Sequence, residues 1–594
     1  MKFPALKEFV EYLESVGELK RISAEVDPFL EVTEIASRAL REKKPALLFE
    51  KVKGSTFPLA INVYASEKRI ELALGRHPQQ IGEELRASFE ELMPPTMLSV
   101  WKNRTFLGKI FKSKPRMISG GNSQQVLTVA NLDALPIQTC WPDDGGRFIT
   151  QGQVFTYDPL DGKRNVGMYR LHVYDNATTG MHWQIQKGGG FHYHRAQKFK
   201  KEFEVAVALG TNPLLLFASI SALPEGIDEV MFASFLGGER IPMVRGKKIG
   251  IHVPANAEFI LEGTVPLQER RLEGPFGDHF GHYSTVAPFP LFRIRAVTHR
   301  RNPIYPATIV GIPPMEDKYL GDATQQILGP LVRLVHHEIR DVWAYYEAGF
   351  HNLLVVSVEE RYKKEAMKAA LGLLGTGQLA LTKCLILVSQ EVNPRDWISV
   401  MREVRENFDP HFDFVLLPKV PMDTLDFTSY SMELGSKMII DATQKTRRMG
   451  DVVLKERSEN KRSSFSSRAK SVDRRISDAV VIEDTLLIVK VKNNGRGVIE
   501  KLVKRKELQS LKMIAAVSED VDLRNQGSYI WGIFTRFDCE RDVIFSDQRI
   551  VGISPIYTGV LGIDATWKKG YPLPLSMDQR VVQHVDERWE SFWK

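Results

Sequence analysis

The sequence predicts a multidomain chain of α/β and β architecture, and three observations carry that reading. Its 594 residues exceed what a single hydrophobic core usually organises. The rhythm of apolar residues changes twice, near positions 116 and 321. The last rhythm then occurs a second time, after a basic stretch. The expected layout is an α/β domain over 1–115, a mainly β domain over 116–320 and an α/β domain over 321–443. A linker over 444–478 leads to a second copy of that α/β domain over 479–594.

Taken in order, Leu6, Phe9, Val10, Leu13 and Val16 fall at helical spacing, with Gly17 placed to end the helix. Val32, Ile35, Ala36, Ala39 and Leu40 mark a second helix, preceded by Asp27 and Pro28. The apolar runs 46–49 and 59–63 read as strands. Beyond residue 116, short β-branched and aromatic runs alternate with turn signals, as at 154–157, 169–174 and 214–220. Strands are expected at each, in a barrel or a sandwich. From 321 onward strands at 353–358, 384–388 and 412–416 alternate with helices at 363–374 and 395–407, the pattern of a parallel sheet.

Residues 444–478 are rich in Ser, Arg and Lys and have few large apolar residues, which predicts a flexible tether. After it, Val517–Ser518 and Phe537–Asp538 repeat Val388–Ser389 and Phe408–Asp409 at one offset. G-S-K-M-I-I-D-A-T (435–443) matches V-L-G-I-D-A-T (560–566). With a strand at 486–491, the reading is an internal duplication whose second copy lacks the counterpart of Lys437.

Composition excludes several classes. Three scattered cysteines, Cys140, Cys384 and Cys539, form neither a metal spacing nor a disulfide framework, so a reducing cytoplasm is expected. The N-terminus lacks a signal-peptide core, and no apolar run is long enough to span a bilayer. The net charge of +7 owes much to the linker, and no nucleic-acid motif accompanies it.

The candidate chemistry centres on R-L-E-G-P-F-G-D-H-F-G (271–281). Glu273 and Asp278 flank two glycines and Pro275, which has no N–H to give a helix, so the segment is a shaped loop. A fixed loop with two acids suits proton transfer. Taken alone it is better explained by a turn with solvated acids, because charged loop residues are usually just exposed. Four other clusters accompany it. In R-N-V-G-M-Y-R (164–170), Asn165 offers an oxygen to a hard cation and Arg170 a fork to a carboxylate or phosphate. In M-H-W-Q-I-Q-K-G-G-G (181–190), Lys187 beside three glycines suggests an anion cradle without Walker spacing. Glu229, in P-E-G-I-D-E, is either a metal ligand or a helix-start acid. Lys437, in G-S-K-M, could pair with an anion.

The set N-V-G-M-Y-R, W-P-D-D (141–144), P-E-G…E, L-E-G-P-F-G-D and G-S-K-M-x-x-D-A-T, in this order, resembles the UbiD family of decarboxylases. The resemblance covers residues 1–443 and returns at V-V-Q-H-V-D-E-R-W (581–589). It implies a central split β-barrel of flavin-reductase type between α/β domains. It implies non-oxidative decarboxylation of aromatic or α,β-unsaturated acids with prenylated FMN, held through its phosphate by a divalent metal (usually Mn2+) and K+. A flavin prenyltransferase would supply the cofactor, and a homo-oligomer is expected. By motif, Asn165 and Glu229 would hold the metal. Met168, Tyr169, Arg170, His182, Trp183, Gln184, Lys187, Gly188 and Lys437 would bind the cofactor, and Arg170, Glu273 and Asp278 would be catalytic. The cinnamate-type branch has a histidine near Lys187–Gly188, and its absence here favours the polyprenyl-hydroxybenzoate-like branch. That points to ubiquinone-type or naphthoate-derived menaquinone biosynthesis, with peripheral membrane contact for a lipophilic substrate.

The residues agree with that chemistry. Loss of CO2 from an sp2 carbon needs an electron sink, which a flavin-derived ring supplies. Arg170 can orient the substrate carboxylate while Glu273 tunes it. Asp278 must return the proton, so a raised pKa is expected, with Phe276, Phe280 and Met168 as apolar walls. A non-catalytic flavin-binding or assembly protein is the alternative, and the intact Arg170, Glu273 and Asp278 argue against it.

Overall fold

The computed structural model describes residues 2–184, 187–429, 431–444 and 462–594, in two compact units. One runs to Leu328 and also contains Pro572–Lys594; the other is Gly329–Tyr571.

The first unit opens with the helix Leu6–Ser15, whose buried Leu6, Phe9, Val10 and Leu13 form one face. Gly17 follows it, and Glu31–Arg41 is the second helix. A four-stranded sheet runs in the order Leu19–Ile22, Ala46–Phe49, Leu59–Ile61, Tyr305–Pro306. Its last strand, Tyr305–Pro306, comes from the region assigned to the β domain and pairs in parallel with Leu59–Ile61. The N-terminal and central regions therefore share a core, in which Phe9, Tyr64 and Phe217 meet.

The central region is an eight-stranded sheet. Its path is Arg270–Glu273, Ala287–His299, Phe259–Val265, Phe203–Leu209, Phe148–Tyr157, Arg164–His172, with Val126–Thr128 and Thr178–Gly180 attached to Ala287–His299. Among the described residues no pairing closes Arg164–His172 onto Arg270–Glu273, so the sheet is open where a split barrel was expected. The run expected as a strand at 214–220 is the helix Pro213–Ile220. Asn212 caps it by accepting from Leu215 N, and Pro213 takes the first helical position. A short, wholly apolar run carries no period, so its cap decides between helix and strand.

The second unit holds two five-stranded sheets of the same order. The first runs Ile339–Ala344, Leu353–Val358, Cys384–Ser389, Leu434–Asp441, Phe414–Pro421. The second runs Ile476–Ile482, Leu486–Val491, Met513–Val517, Ser554–Ala565, Val543–Val551. The three central strands of each are parallel, but both edge strands are antiparallel, which corrects the expected all-parallel sheet. The sheets exchange reciprocal bonds: Lys383 Nζ donates to Phe537 O at 2.9 Å and Lys512 Nζ to Phe408 O at 2.7 Å.

Two boundaries move. Arg462–Val472 is a helix and Ile476–Ile482 a strand, so the tether expected over 444–478 ends earlier, its residues 445–461 lying outside the described residues. Pro572–Lys594 belongs to the first unit and not to the second sheet. Arg588 pairs there with Glu31 and donates to Glu25 O at 2.7 Å, and Arg38 meets Asp586 at 2.5 Å. Among the described residues no helix is long and apolar enough to cross a membrane.

Candidate active site

Arg170, near the end of the strand Arg164–His172, is the junction of the site. Its Nε donates to Glu273 Oε1 at 3.0 Å, Nη1 to Asp278 Oδ2, and Nη2 to Ser284 Oγ at 3.1 Å. The guanidinium lies 4.8 Å from the Phe276 ring centroid, so an aromatic face backs the charge. Glu273 Oε1 also meets His182 Nδ1 at 2.6 Å, whereas Oε2 is buried without a partner among the described residues. The three residues expected to be catalytic are thus brought together. His182, expected to bind cofactor, joins them through Glu273, and its buried Nε2 has no partner.

The loop 273–284 is held from several sides. Glu273 ends the strand Arg270–Glu273, and Gly274 turns the chain at φ 94°, a conformation that favours glycine. Asp144 then pins the loop: Oδ1 accepts from Gly277 N at 2.7 Å, while Oδ2 accepts from Cys140 N and Trp141 N at 3.0 and 2.8 Å. Ser284 Oγ also accepts from Phe276 N at 3.2 Å. The C-terminal segment adds Leu575 N to Gly281 O at 3.0 Å, and His282 Nδ1 lies 2.9 Å from Pro572 O. Sequence reasoning quoted W-P-D-D (141–144) without giving Asp144 a role, and missed Ser284 and this brace. Asp144 had a signal, an acid followed by two glycines; the brace joins residues nearly three hundred positions apart and had none.

Electrostatics correct one expectation. Burial alone would raise the Asp278 carboxyl, but Arg170 and the bonds from His279 outweigh it and hold it well below the usual carboxylate range. Burial likewise opposes a Glu273 that its contacts with His182 and Arg170 keep low. The expected raised pKa at Asp278 is therefore absent while Arg170 is engaged with it. Asp144 is pushed up to about 6 by burial in spite of its three backbone donors. Glu229 is pushed up to about 7 by burial.

A second cluster lies on the other face of the Arg164–His172 strand, where alternation places Asn165, Gly167 and Tyr169. Glu229, at the start of the helix Glu229–Gly237, accepts from Val166 N at 2.8 Å. Lys187 and Gly188–Gly190 open the helix Gly188–Phe199, so the expected cradle is a helix N-terminus, where the Gly189 N–H meets the Tyr169 hydroxyl. A Cβ at Gly188 would collide with Asn165 Oδ1, and one at Gly189 would stand 2.7 Å from Trp183 Nε1. Among the described residues Asn165 Nδ2 and Trp183 Nε1 are buried without partners. Buried donors left unpaired are costly unless a ligand takes them.

Three further expected residues have these contacts. Met168 packs against the core of Phe9, Tyr64 and Phe217. Gln184 is half-buried beside Gly190. Lys437 is buried in the second unit, where its Nζ donates to Thr382 O at 2.8 Å, and burial pushes it down to about 8. Among the described residues no three His, Cys, Asp or Glu side chains converge on a metal position. Asn165 and Glu229 could supply oxygen donors to a hard cation, whose shell a phosphate-bearing cofactor would have to complete.

A fork of arginine between two buried acids, close in sequence to a glycine-rich helix start, is the chemistry that a carboxylate-handling protein needs. The chain belongs to the UbiD family and is a carboxy-lyase: models of the 3-octaprenyl-4-hydroxybenzoate carboxy-lyase N-terminal, Rift-related and C-terminal domains match residues 10–89, 117–313, and 318–442 with 473–565. An Archaeoglobus fulgidus protein is 44% identical over 76% of this chain and 94% of its own. A Chlamydia pneumoniae protein named as part of a 4-hydroxybenzoate decarboxylase is 34% identical over 99% and 98%. Vanillic acid decarboxylase of Sedimentibacter hydroxybenzoicus, in closed form, superposes with a TM-score of 0.68 at 26% identity, covering 79% of this chain and 98% of its own. An evolved dimeric form of the UbiD-class enzyme HmfF from Pelotomaculum thermopropionicum, in complex with prFMN, gives 0.62 at 26% identity over 77% and 98%.

Proposed function

We propose that the chain is a prenylated-FMN-dependent decarboxylase of an aromatic acid, of the polyprenyl-hydroxybenzoate or naphthoate kind, in quinone biosynthesis. One observation carries the reading: a single guanidinium, Arg170, joins Glu273, Asp278 and Ser284 beside buried polar atoms that have no partner. Relatives named for 4-hydroxybenzoate and vanillic acid support an aromatic substrate, and HmfF with prFMN supports the cofactor.

Asn165 and Glu229 would hold a divalent metal such as Mn2+, and Tyr169, Trp183, Gln184, Lys187 and Gly188 would receive the cofactor, with K+ as a further ion. Asn165 Nδ2 and Trp183 Nε1, buried without partners among the described residues, and the close approach of the Gly188 backbone to Asn165 support such a group. The bound cofactor supplies the electron sink. An arriving carboxylate competes for Arg170. As Arg170 turns to it, Asp278 loses that cation and keeps only the bonds from His279, so burial shifts its pKa upward from its present low value and it can carry the proton that replaces CO2. Glu273 stays between His182 and Arg170 and keeps the fork aimed.

A flavin prenyltransferase supplies the cofactor, and the chain works as a homo-oligomer. The two sheets of the second unit are read as copies, a view their shared order and reciprocal lysine bonds support. Co-expression with a flavin prenyltransferase, followed by mass spectrometry and CO2 release from 4-hydroxybenzoate, vanillate and naphthoate acids, tests the proposal. Near-stoichiometric prenylated FMN and release from at least one aromatic acid are expected. Purified protein without any flavin would overturn it.

A further inference from the structure

Residues 93–117 stand apart from the rest of the first unit. They form two short helices, Met97–Lys102 and Arg104–Phe111, neither of which buries a residue completely. Trp101 is 63% exposed, Phe111 78% and Met97 91%, and Met93, Leu98, Val100, Ile110 and Met117 are exposed as well. Soluble surfaces rarely gather so many large apolar side chains in one stretch.

The same stretch is strongly basic. Lys102, Arg104, Lys109, Lys112, Lys114 and Arg116 lie between Met93 and Met117, with no Asp or Glu among them. Among the described residues none of the six enters an ion pair. Arg104 instead lies 4.6 Å from the Trp101 ring centroid. The segment is nonetheless seated. Phe106 points inward, its ring 5.4 Å from Phe89 and 5.3 Å from Phe235, and Asn103 Nδ2 donates to Glu91 Oε2 at 2.7 Å. The outward display of Trp, Phe and Met is therefore anchored from beneath.

We infer that residues 93–117 are a docking surface for an anionic phospholipid bilayer. Exposed Trp and Phe suit the headgroup boundary, and flanking Lys and Arg suit an anionic leaflet. A second copy of this chain fits the surface less well: a two-fold contact through this segment would set six cations against six. Bilayer docking would place the enzyme beside lipophilic acids, but the binding itself does not depend on the proposed substrate.

The test is co-sedimentation of the full-length protein with phosphatidylcholine vesicles, with and without phosphatidylglycerol. Binding should require the anionic lipid and fall with salt. Trp101→Glu with Phe111→Glu should weaken partitioning at least tenfold, and Lys102→Glu with Lys112→Glu and Lys114→Glu should do the same. Both variants should keep the oligomeric state and the turnover of a water-soluble aromatic acid. No vesicle binding at low salt, or equal binding by wild type and both variants, would overturn the inference. So would a change of oligomeric state in either variant, or retention of RNA in place of vesicles.

Discussion

The two sheets of the second unit and the active-site loop of the first bury carboxylates in opposite ways. In each sheet an aspartate is fully occupied. Asp441 Oδ1 and Asp564 Oδ1 both accept a threonine hydroxyl at 2.6 Å, from Thr443 and Thr566. The cation that answers them changes. Lys364, at the start of the helix Glu365–Leu374, reaches Asp413 and Asp441 at 2.7 and 2.8 Å. Its positional counterpart Asn494 carries no charge, and Lys568, from beyond the last strand, reaches Asp542 and Asp564 at 3.4 and 3.6 Å instead. Each sheet thus sets one lysine beside an acid pair, from a different point in the chain. At the active site Glu273 keeps one oxygen unpaired, and one arginine is shared among three oxygens. That arrangement is satisfied only in part until something enters, which is what a site needs and a scaffold avoids.

The largest expected effect tests whether the unsatisfied network is the working one. Asp278→Asn keeps the shape and removes the transferable proton, so decarboxylation, or hydrogen–deuterium exchange at the product carbon, should fall about 10²–10⁴-fold at matched flavin occupancy. Glu273→Gln should also be costly, through Arg170, and should weaken substrate binding. Near-normal exchange in Asp278→Asn together with its abolition in Glu273→Gln would make Glu273 the donor.

The reciprocal lysines sharpen the comparison between the two sheets. Lys383→Met strips the cation 3.0 Å from buried Asp426 and should cost about 3–5 kcal/mol. Lys512→Met removes a bond to a carbonyl only and should cost about 1–2 kcal/mol. Urea unfolding measures both; equal losses would show that Asp426 does not depend on Lys383.

The smallest effect concerns Lys437, whose place in the second sheet is taken by buried Val560. Its folded pKa, about 8, lies below the unfolded value, so the unfolded chain binds more protons between about pH 8 and 10.5 and stability rises with pH there. Lys437→Val should raise Tm at pH 7 and flatten that rise. A loss of flavin occupancy in the same variant would instead support the cofactor role expected from the motif.

Much was legible in the sequence. Leu353–Val358 and Leu486–Val491 were read to the residue because a buried strand is a continuous apolar run closed by turns. The helix at Leu6–Ser15 followed from its period. Arg170, Glu273 and Asp278 were legible as residue types in family order. The helix Pro213–Ile220 was misread because its apolar run has no period, and only the Asn212 cap distinguishes it.

The sequence by itself determined most element types, the repeated strand pattern and the three residues proposed as a catalytic trio, because period, capping and motif order are local properties of a chain. The tertiary structure decided what each buried charge meets. It set Arg170 on Asp278 and so lowered a pKa expected to be high. It put His182 on Glu273, Asp144 under the loop and the C-terminal segment against Gly281. A pKa depends on desolvation and on charges a few ångströms away, and those neighbours come from segments far apart in the chain.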